Sequence, residues 1–298
     1  MLKQRGRILK GIGGFYYVET EKALIECKAR GAFRKDNLTL QVGDFVEIEY
    51  DESTNKGVID EIFDRKNSLI RPPISNIDKL YIVTSTYLPE PNTLNIDKLT
   101  ALCVYKNIEP ILVVSKTDVK KADELIENYK KAGITVFETN KFDKSAAEKI
   151  GQSLNGYTCA FAGNSGVGKS TLINMIEPNL KLQTGEVSLK LSRGRHTTRH
   201  VELFKINGGY IADTPGFSSL DFESGVNILK DELIYCFPDL LKYADNCRFK
   251  DCAHINEKDC SLKEAVLNGD VVESRYLSYK ELYKEAEKIK VWDIKGQK

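Results

Sequence analysis

Residues 163–170 read Gly-Asn-Ser-Gly-Val-Gly-Lys-Ser and fit the phosphate-loop pattern G-x-x-x-x-G-K-[ST] at every specified position. The apolar run Tyr157–Ala162 before them predicts a buried strand, and Leu172, Ile173 and Ile176 after them lie on one face of a predicted helix. A strand, a glycine-rich loop and a helix in this order gather backbone N–H groups at a helix N-terminus, where phosphate is stabilised. The segment therefore predicts a nucleoside triphosphate site.

The side chains of this loop have separate predicted roles. Lys169 is expected to reach the β- and γ-phosphates, and Ser170 is expected to ligate magnesium. The remaining predicted nucleotide contacts come from Gly163, Asn164, Ser165, Gly166, Val167, Gly168 and Thr171.

The segment Asp213-Thr214-Pro215-Gly216 follows the apolar residues Tyr210–Ala212, as a strand end should. It fits the Asp-x-x-Gly pattern of nucleoside triphosphatases. In that pattern Asp213 holds magnesium through water, and the N–H of Gly216 senses the γ-phosphate.

A further segment, Ser115-Lys116-Thr117-Asp118, follows the apolar strand Ile111–Val114. It differs from the guanine-reading pattern Asn-Lys-x-Asp only in having Ser first. The carboxylate of Asp118 would accept hydrogen bonds from the guanine N1–H and 2-amino groups, and Lys116 would pack over the ring. The sequence thus predicts a guanine site that is encoded before the phosphate loop.

Strand and helix patterns alternate from residue 80 onward, which predicts a parallel sheet with helices on both faces. The predicted order is Leu80–Ser85 (strand), 93–107 (helix), Ile111–Val114 (strand), 121–132 (helix), Ile134–Phe137 (strand) and 143–152 (helix), and then the phosphate-loop strand. Because the guanine-reading half precedes the Asp-x-x-Gly half, we predict a circularly permuted domain. Such a permutation leaves a packed sheet unchanged when the original termini lie close together.

Short strand patterns separated by glycine-bearing turns occupy the first seventy residues and predict a small β-barrel of the OB type, although another small barrel is compatible with the spacing. These strands are Arg7–Lys10, Phe15–Thr20, Ala23–Cys27, Phe45–Tyr50 and Gly57–Phe63. Candidate oligonucleotide contacts are Phe15, Tyr16, Tyr17 and the basic loop Lys28–Lys35, which are equally compatible with core aromatics and a solvated loop. Arg71-Pro72-Pro73 predicts a stiff linker.

Three cysteines and a histidine, Cys247, Cys252, His254 and Cys260, have the spacing C-x4-C-x-H-x5-C. Three thiolates and one imidazole complete a tetrahedral zinc shell, so we predict one structural zinc ion. A helix is predicted after them, with Ser274 as its cap and an apolar stripe of Tyr276, Leu282, Tyr283, Ala286 and Ile289. The row Lys280, Lys284 and Lys288 is interpreted as a solvated face, with an RNA contact as the alternative.

The chain of 298 residues, of which 41% are hydrophobic, has room for two or three domains. We predict a barrel at 1–70, a permuted nucleotide domain at 71–222 and a helical zinc domain at 223–298. No segment approaches the roughly 18 apolar residues of a membrane span, and the seven cysteines suit a reducing compartment. The expectation is therefore a cytoplasmic protein without a membrane partner. The formal net charge of +1 gives no general argument for a polyanionic partner.

In their order, these motifs closely resemble the ribosome small-subunit-dependent GTPase A family. The resemblance also rests on Gly194-Arg195-His196-Thr197-Thr198 and covers essentially the whole chain. It implies a GTPase that binds the 30S subunit late in maturation, contacts 16S rRNA near the decoding region and hydrolyses GTP to GDP, with magnesium, under stimulation by the subunit. We expect a monomer. The chain departs from the family at Ser115, where the pattern has Asn, and at Glu138-Thr139-Asn140, which lacks the Ser-Ala-Lys form.

Many GTPases orient the attacking water with a Gln after Asp-x-x-Gly, but here Phe217 occupies that position and cannot bond water. His196 resembles the family's candidate for this role, although a loop His is often inert. Thr197 or Thr198 should complete the magnesium shell, and the resemblance favours Thr198. The surrounding segment, Ser188–His200, is basic and could meet RNA phosphate.

Two other classes of function fit parts of the pattern. An ATP-using phosphate-loop enzyme is one, and Lys116 and Asp118 weaken it. A zinc-stabilised RNA-binding protein, in which the nucleotide is only a conformational ligand, is the other.

Overall fold

The computed structural model describes residues 2–30, 39–70, 72–180, 201–213 and 227–290. Its strands are β1 (Leu2–Ile12), β2 (Phe15–Glu19), β3 (Leu24–Ala29), β4 (Phe45–Asp51), β5 (Lys56–Ile62), β6 (Ser68–Leu69), β7 (Ile74–Ser75), β8 (Lys79–Ser85), β9 (Glu109–Ser115), β10 (Thr135–Glu138), β11 (Thr158–Ala162), β12 (Glu202–Ile206) and β13 (Gly209–Asp213). Its α-helices are α1 (Thr93–Tyr105), α2 (Asp123–Lys131), α3 (Lys144–Ser153), α4 (Lys169–Ile176), α5 (Lys230–Leu233), α6 (Pro238–Ala244), α7 (Ser261–Leu267) and α8 (Glu273–Ala286). Within these ranges, no helix combines the length and apolar character needed to cross a lipid bilayer.

The first five strands close into a barrel, because β1 pairs with both β2 and β4 while β3 and β4 each pair with β5. The barrel interior holds fully buried aliphatic side chains, including Ile8, Ile25 and Ile48. The predicted small barrel is confirmed. Its first strand is longer than the sequence indicated, because it pairs with two other strands. The sequence pattern missed its first residues because several of them are charged and exposed.

The central sheet has the order β10-β9-β8-β11-β13-β12, and its first five strands are parallel. The neighbouring strands β8 and β9 are largely buried, as expected for the middle of a sheet that is covered on both sides. Helices α1 and α2 pack on one face, and α3 and α4 pack on the other. The predicted alternation and mainly parallel sheet are confirmed.

The antiparallel strand β12 was not predicted from the sequence. It forms a hairpin with β13, and its first residue, Glu202, also pairs with Lys10 of the barrel strand β1. The barrel and the central sheet are therefore hydrogen-bonded into one continuous strand order.

Side chains mark where two helices of the central domain begin. The carboxamide of Asn92 accepts a hydrogen bond from the N–H of Asn95 at the start of α1, and Asp143 accepts one from Ala146 at the start of α3. Both are N-caps, which satisfy backbone donors that the first helical turn leaves unpaired.

The C-terminal helices α5–α8 enclose a separate core around Phe237, Leu240 and Tyr279. The prediction that Ser274 caps the last helix is wrong. Helix α8 begins at Glu273, and its N-cap is the extended residue Val272, two residues before Ser274. Val272 is buried, so hydrophobic packing fixes where the chain enters the helix.

Candidate functional site

The phosphate loop lies between β11 and α4, as predicted. Three of its glycines have positive φ values: 146° at Gly163, 78° at Gly166 and 99° at Gly168. A Cβ at Gly163 would lie 2.1 Å from the carbonyl oxygen of Val83, so this turn fits only glycine.

Lys169 folds back across this loop. Its ammonium donates to the carbonyl oxygens of Gly163, at 2.6 Å, and Asn164, at 2.8 Å. Burial lowers the pKa of Lys169 to about 8, because it desolvates the ammonium, which forms no ion pair within the described ranges. A phosphate in the loop would supply that partner. The other predicted side-chain contacts, Ser170 and Thr171, are half-buried in the first turn of α4.

Ser115 brings the predicted guanine segment into contact with the phosphate loop. Its hydroxyl lies 2.9 Å from the carbonyl oxygen of Thr84 and 2.5 Å from that of Val167. A hydroxyl has one proton and can donate to only one of these at a time, whereas the Asn of the usual pattern has two amide N–H groups. Ser115 therefore links β8, β9 and the phosphate loop with fewer donors than the common residue offers.

Lys116 has a φ of 58°, and its ammonium donates to the carbonyl oxygens of Tyr87, at 3.1 Å, and Leu88. Thr86 holds the backbone of the same segment, since its hydroxyl donates to the Lys116 carbonyl at 2.7 Å. Asp118 is exposed, and its carboxylate makes no hydrogen bond or ion pair with the described part of the chain. It is available to a ligand.

The residues after β10 pack against the predicted guanine segment. Thr139 accepts a hydrogen bond from the Thr117 N–H at 3.4 Å, and its own N–H donates to Val114 at 2.9 Å. The loop Thr86–Pro89 also borders the site, and sequence reasoning missed it. Its position after β8 was the available indication, because ligand contacts gather at the carboxyl ends of parallel strands.

Several predicted residues fall outside the described ranges: His196, Thr197, Thr198, Gly216 and Phe217. Asp213 ends β13, and its backbone pairs with Glu202 across the hairpin.

The four predicted metal ligands come together. The Sγ atoms of Cys247, Cys252 and Cys260 and a ring nitrogen of His254 all lie within 4.8 Å of one another. The Nδ1 atom of His254 is 3.4 Å from Cys247 Sγ and 3.5 Å from Cys260 Sγ. Cys260 and His254 are buried and the other two cysteines are half-buried, and the four donors together fit a soft metal ion and leave no ligand position unfilled.

Hydrogen bonds hold the loop that carries these ligands. The carboxylate of Glu257 accepts from the backbone N–H groups of Ala253 and Ile255, at 2.9 and 2.8 Å. The hydroxyl of Tyr276 donates to the His254 carbonyl at 2.8 Å. Burial lowers the pKa of His254, which favours the neutral imidazole that metals bind.

Some basic side chains of the barrel form ion pairs with its carboxylates. Lys3 pairs with Glu47 and Asp60 at 3.1 and 3.0 Å, and Arg30 pairs with Glu49 and Asp60. Two basic side chains of the barrel are thus paired with carboxylates of β4 and β5. Phe15, Tyr16 and Tyr17 are half-buried on β2, the ammonium of Lys28 lies 5.0 Å above the Phe15 ring, and part of the loop Lys28–Lys35 lies outside the described residues.

Two family models match much of the chain, and known proteins match nearly all of it. The model described as RsgA GTPase matches residues 62–223, and the RsgA N-terminal domain matches residues 5–59. Curated relatives named small ribosomal subunit biogenesis GTPase RsgA include one from Caldanaerobacter subterraneus subsp. tengcongensis, 44% identical over 96% of both chains. Another, from Alkaliphilus metalliredigens, is 45% identical over 95% of this chain and 98% of its own.

Two solved structures share the fold over nearly the full length. One is YjeQ from Thermotoga maritima, with a TM-score of 0.82, 34% identity and coverage of 97% of this chain and 100% of that one. The other is YloQ, described as a circularly permuted GTPase, with a TM-score of 0.80, 35% identity and coverage of 97% and 96%. The permuted order inferred from the motifs is therefore shared by a solved relative.

Proposed function

We propose the function of this chain from one premise: the chain belongs to the RsgA GTPase family. It is a GTP hydrolase that acts in the biogenesis of the small ribosomal subunit. In the structure, this function is best supported by the contact of Ser115 with the Thr84 and Val167 carbonyls. That contact joins the guanine segment to the phosphate loop.

The guanine base is bound, in this proposal, at the ends of β9 and β10. The free carboxylate of Asp118 accepts hydrogen bonds from the guanine N1–H and 2-amino groups. Lys116, held by the carbonyls of Tyr87 and Leu88, packs its stem over the ring. Ser115 and Thr117 fix the backbone from which these side chains extend.

The phosphates are bound by the backbone N–H groups of residues 163–171 and by Lys169. Magnesium bound with GTP neutralises phosphate charge. Ser170, Thr198 and Asp213, the last through water, would hold it. The predicted water-positioning residue is His196, and unaffected single-turnover hydrolysis in His196→Ala would remove it from the reaction.

The Cys247, Cys252, His254 and Cys260 cluster binds one structural zinc ion in this proposal. All four ligand positions are filled by protein, so the ion stabilises the C-terminal fold and takes no part in hydrolysis. We assign residues 1–70, 71–222 and 223–298 to the barrel, nucleotide and zinc domains.

The partner is the 30S subunit, which the protein contacts through 16S rRNA as a cytoplasmic monomer. The half-buried aromatics of β2 and the basic segment Ser188–His200 are the proposed RNA contacts. Because the chain lacks a Gln after Gly216, we expect slow intrinsic hydrolysis that the subunit stimulates.

The test measures GTP turnover by the protein alone and with purified 30S, 50S and 70S particles. Binding to each particle is measured in the presence of a non-hydrolysable GTP analogue. Stimulation and GTP-dependent binding are expected with 30S, and equal rates with and without it would refute the proposal. Calorimetric titration with GDP and ADP separates this function from an ATP-using enzyme, which would prefer ADP.

A further inference from the structure

The hairpin of β12 and β13 carries one part of the proposed nucleotide site, Asp213. Glu202 and Asp213 are paired at its open end, and Ile206 and Gly209 are paired at its turn. Asp213 ends the hairpin, so on the proposed function the placement of this proposed magnesium residue depends on where the open end lies. The inference below rests on that function.

The barrel contacts the open end of the hairpin directly. Lys10 of β1 pairs with Glu202 in the strand ladder, and its ammonium lies 2.6 Å from the Glu202 carboxylate. The register of β1 against β2 shifts between Ile8 and Lys10, a local irregularity of the kind that re-aims a side chain in a strand. The residue opposite Asp213 is thus held by an ion pair from another domain.

A second contact holds the hairpin near its turn. Glu19, the last residue of β2, accepts a hydrogen bond from the hydroxyl of Tyr210 and lies 3.4 Å from the ammonium of Lys205. Lys205 and Tyr210 face each other across the hairpin, so one barrel carboxylate binds both of its strands. Burial and the bond to Glu19 raise the pKa of Tyr210 to about 12, which keeps its hydroxyl a donor.

The same barrel strand also reaches the phosphate-loop strand. Arg7 is 7% exposed, its guanidinium donates to the Thr158 hydroxyl at 2.7 Å, and it lies 4.9 Å from the Tyr210 ring centroid. Thr158 begins β11, whose other end leads into the phosphate loop. Strand β1 therefore fixes the hairpin relative to the strand that carries the phosphate site.

We propose that Lys10 is a positioning residue for GTP hydrolysis, which acts through Glu202 to hold the Asp213 end of the hairpin where magnesium is bound. The barrel is then a structural part of the magnesium site as well as an RNA contact. Lys10 and Glu202 are each about one-third exposed, at 30% and 31%, so the pair adds little to folding stability. Its loss should affect nucleotide chemistry more than folding.

The experiment compares Lys10→Met and Glu202→Gln with a matched control, Lys22→Met. Lys22 also forms an exposed barrel ion pair, 3.3 Å from Glu52, and in the described ranges neither partner is hydrogen-bonded or ion-paired to the hairpin. The first readout is the dissociation rate of a fluorescent GDP analogue with and without magnesium. The second is the pair of kcat and KM values for GTP in the full chain, with and without small ribosomal subunits.

The factor by which magnesium slows GDP release should be on the order of fivefold smaller in Lys10→Met and in Glu202→Gln than in the wild type. We expect kcat to fall by a similar factor. KM and release without magnesium should not change. The control should match the wild type, and the reversed pair Lys10→Glu with Glu202→Lys should recover the magnesium effect.

Magnesium dependence in Lys10→Met equal to that in Lys22→Met would overturn the inference while leaving the GTPase function intact. Failure of the reversed pair to recover any of the effect would also overturn it, because the ion pair would then not be the cause. A wild-type chain that neither hydrolyses GTP nor retains GDP would instead overturn the proposed function and the inference with it.

Discussion

Replacing Ser115 by Ala should weaken guanine nucleotide binding by loosening the contact between β9 and the phosphate loop. Ser115 is 6% exposed, and its hydroxyl is 2.9 Å from the Thr84 carbonyl and 2.5 Å from the Val167 carbonyl. Loss of a buried donor that leaves a carbonyl unpaired costs about 1–3 kcal/mol. If this free energy is lost entirely from the loop conformation that binds GDP, GDP affinity drops roughly 5- to 150-fold, because about 1.4 kcal/mol is a factor of ten.

The assay is calorimetric titration with GDP together with thermal unfolding of the nucleotide-free protein. The matched control is Ser75→Ala, because Ser75 is also buried but bonds Asp44, at 2.6 Å, where the barrel meets the linker. Ser75→Ala should lower the unfolding temperature without changing GDP affinity. Ser115→Asn, whose amide offers a donor to each carbonyl, should bind GDP at least as tightly as the wild type. Unchanged GDP affinity in Ser115→Ala would refute this reasoning.

Three further predictions concern charge, pH and the metal. Arg275→Met should lower the free energy of unfolding by about 3–5 kcal/mol in denaturant titrations, because it leaves the buried carboxylate of Asp97 and the partly buried carboxylate of Asp239 without their cation. Above about pH 8, GDP binding should take up protons and weaken as the pH rises. The reason is that the pKa of Lys169 is lowered to about 8 in the free protein, and bound phosphate raises it again. Calorimetry in buffers of different ionisation enthalpy measures the proton uptake. Cys260→Ser should lose the bound metal, measured by elemental analysis, and lower the unfolding temperature.

Two of these predictions have a control variant in the same chain. Lys284→Met removes an exposed ion pair with Glu281 and should change the unfolding free energy by less than about 1 kcal/mol. Cys236→Ser alters a buried cysteine outside the metal cluster and should leave the metal content unchanged. GDP binding without proton uptake at about pH 8.5 would contradict the role of Lys169.

Most features of the fold and of the site that could be predicted from the sequence come from short local patterns. The phosphate loop, the segment Ser115–Asp118 and the metal cluster are each encoded within a few residues, and backbone geometry or ligand chemistry restricts which residues can stand there. The alternation of strands and helices predicted the parallel sheet for the same reason, since each element buries its own apolar face.

Long-range contacts were not predictable in this way. Strand β12 is short, and the pairing of Glu202 with Lys10 depends on residues almost two hundred positions away. Arg7 looks like a surface residue in the sequence, yet it is buried because Thr158 and the Phe45 and Tyr210 rings surround it. The start of α8 depends on the packing of Val272, which outweighs the capping preference of Ser274.

The most direct test of the central claim is the base preference of Asp118→Asn. The claim is that a carboxylate encoded before the phosphate loop reads guanine in the same pocket. An amide in place of the carboxylate loses an acceptor for the guanine 2-amino group and gains a donor that suits the 2-oxo group of xanthine. GDP affinity should fall roughly 100-fold while xanthosine diphosphate affinity rises. Unchanged GDP binding with no gain for xanthosine diphosphate would contradict the claim.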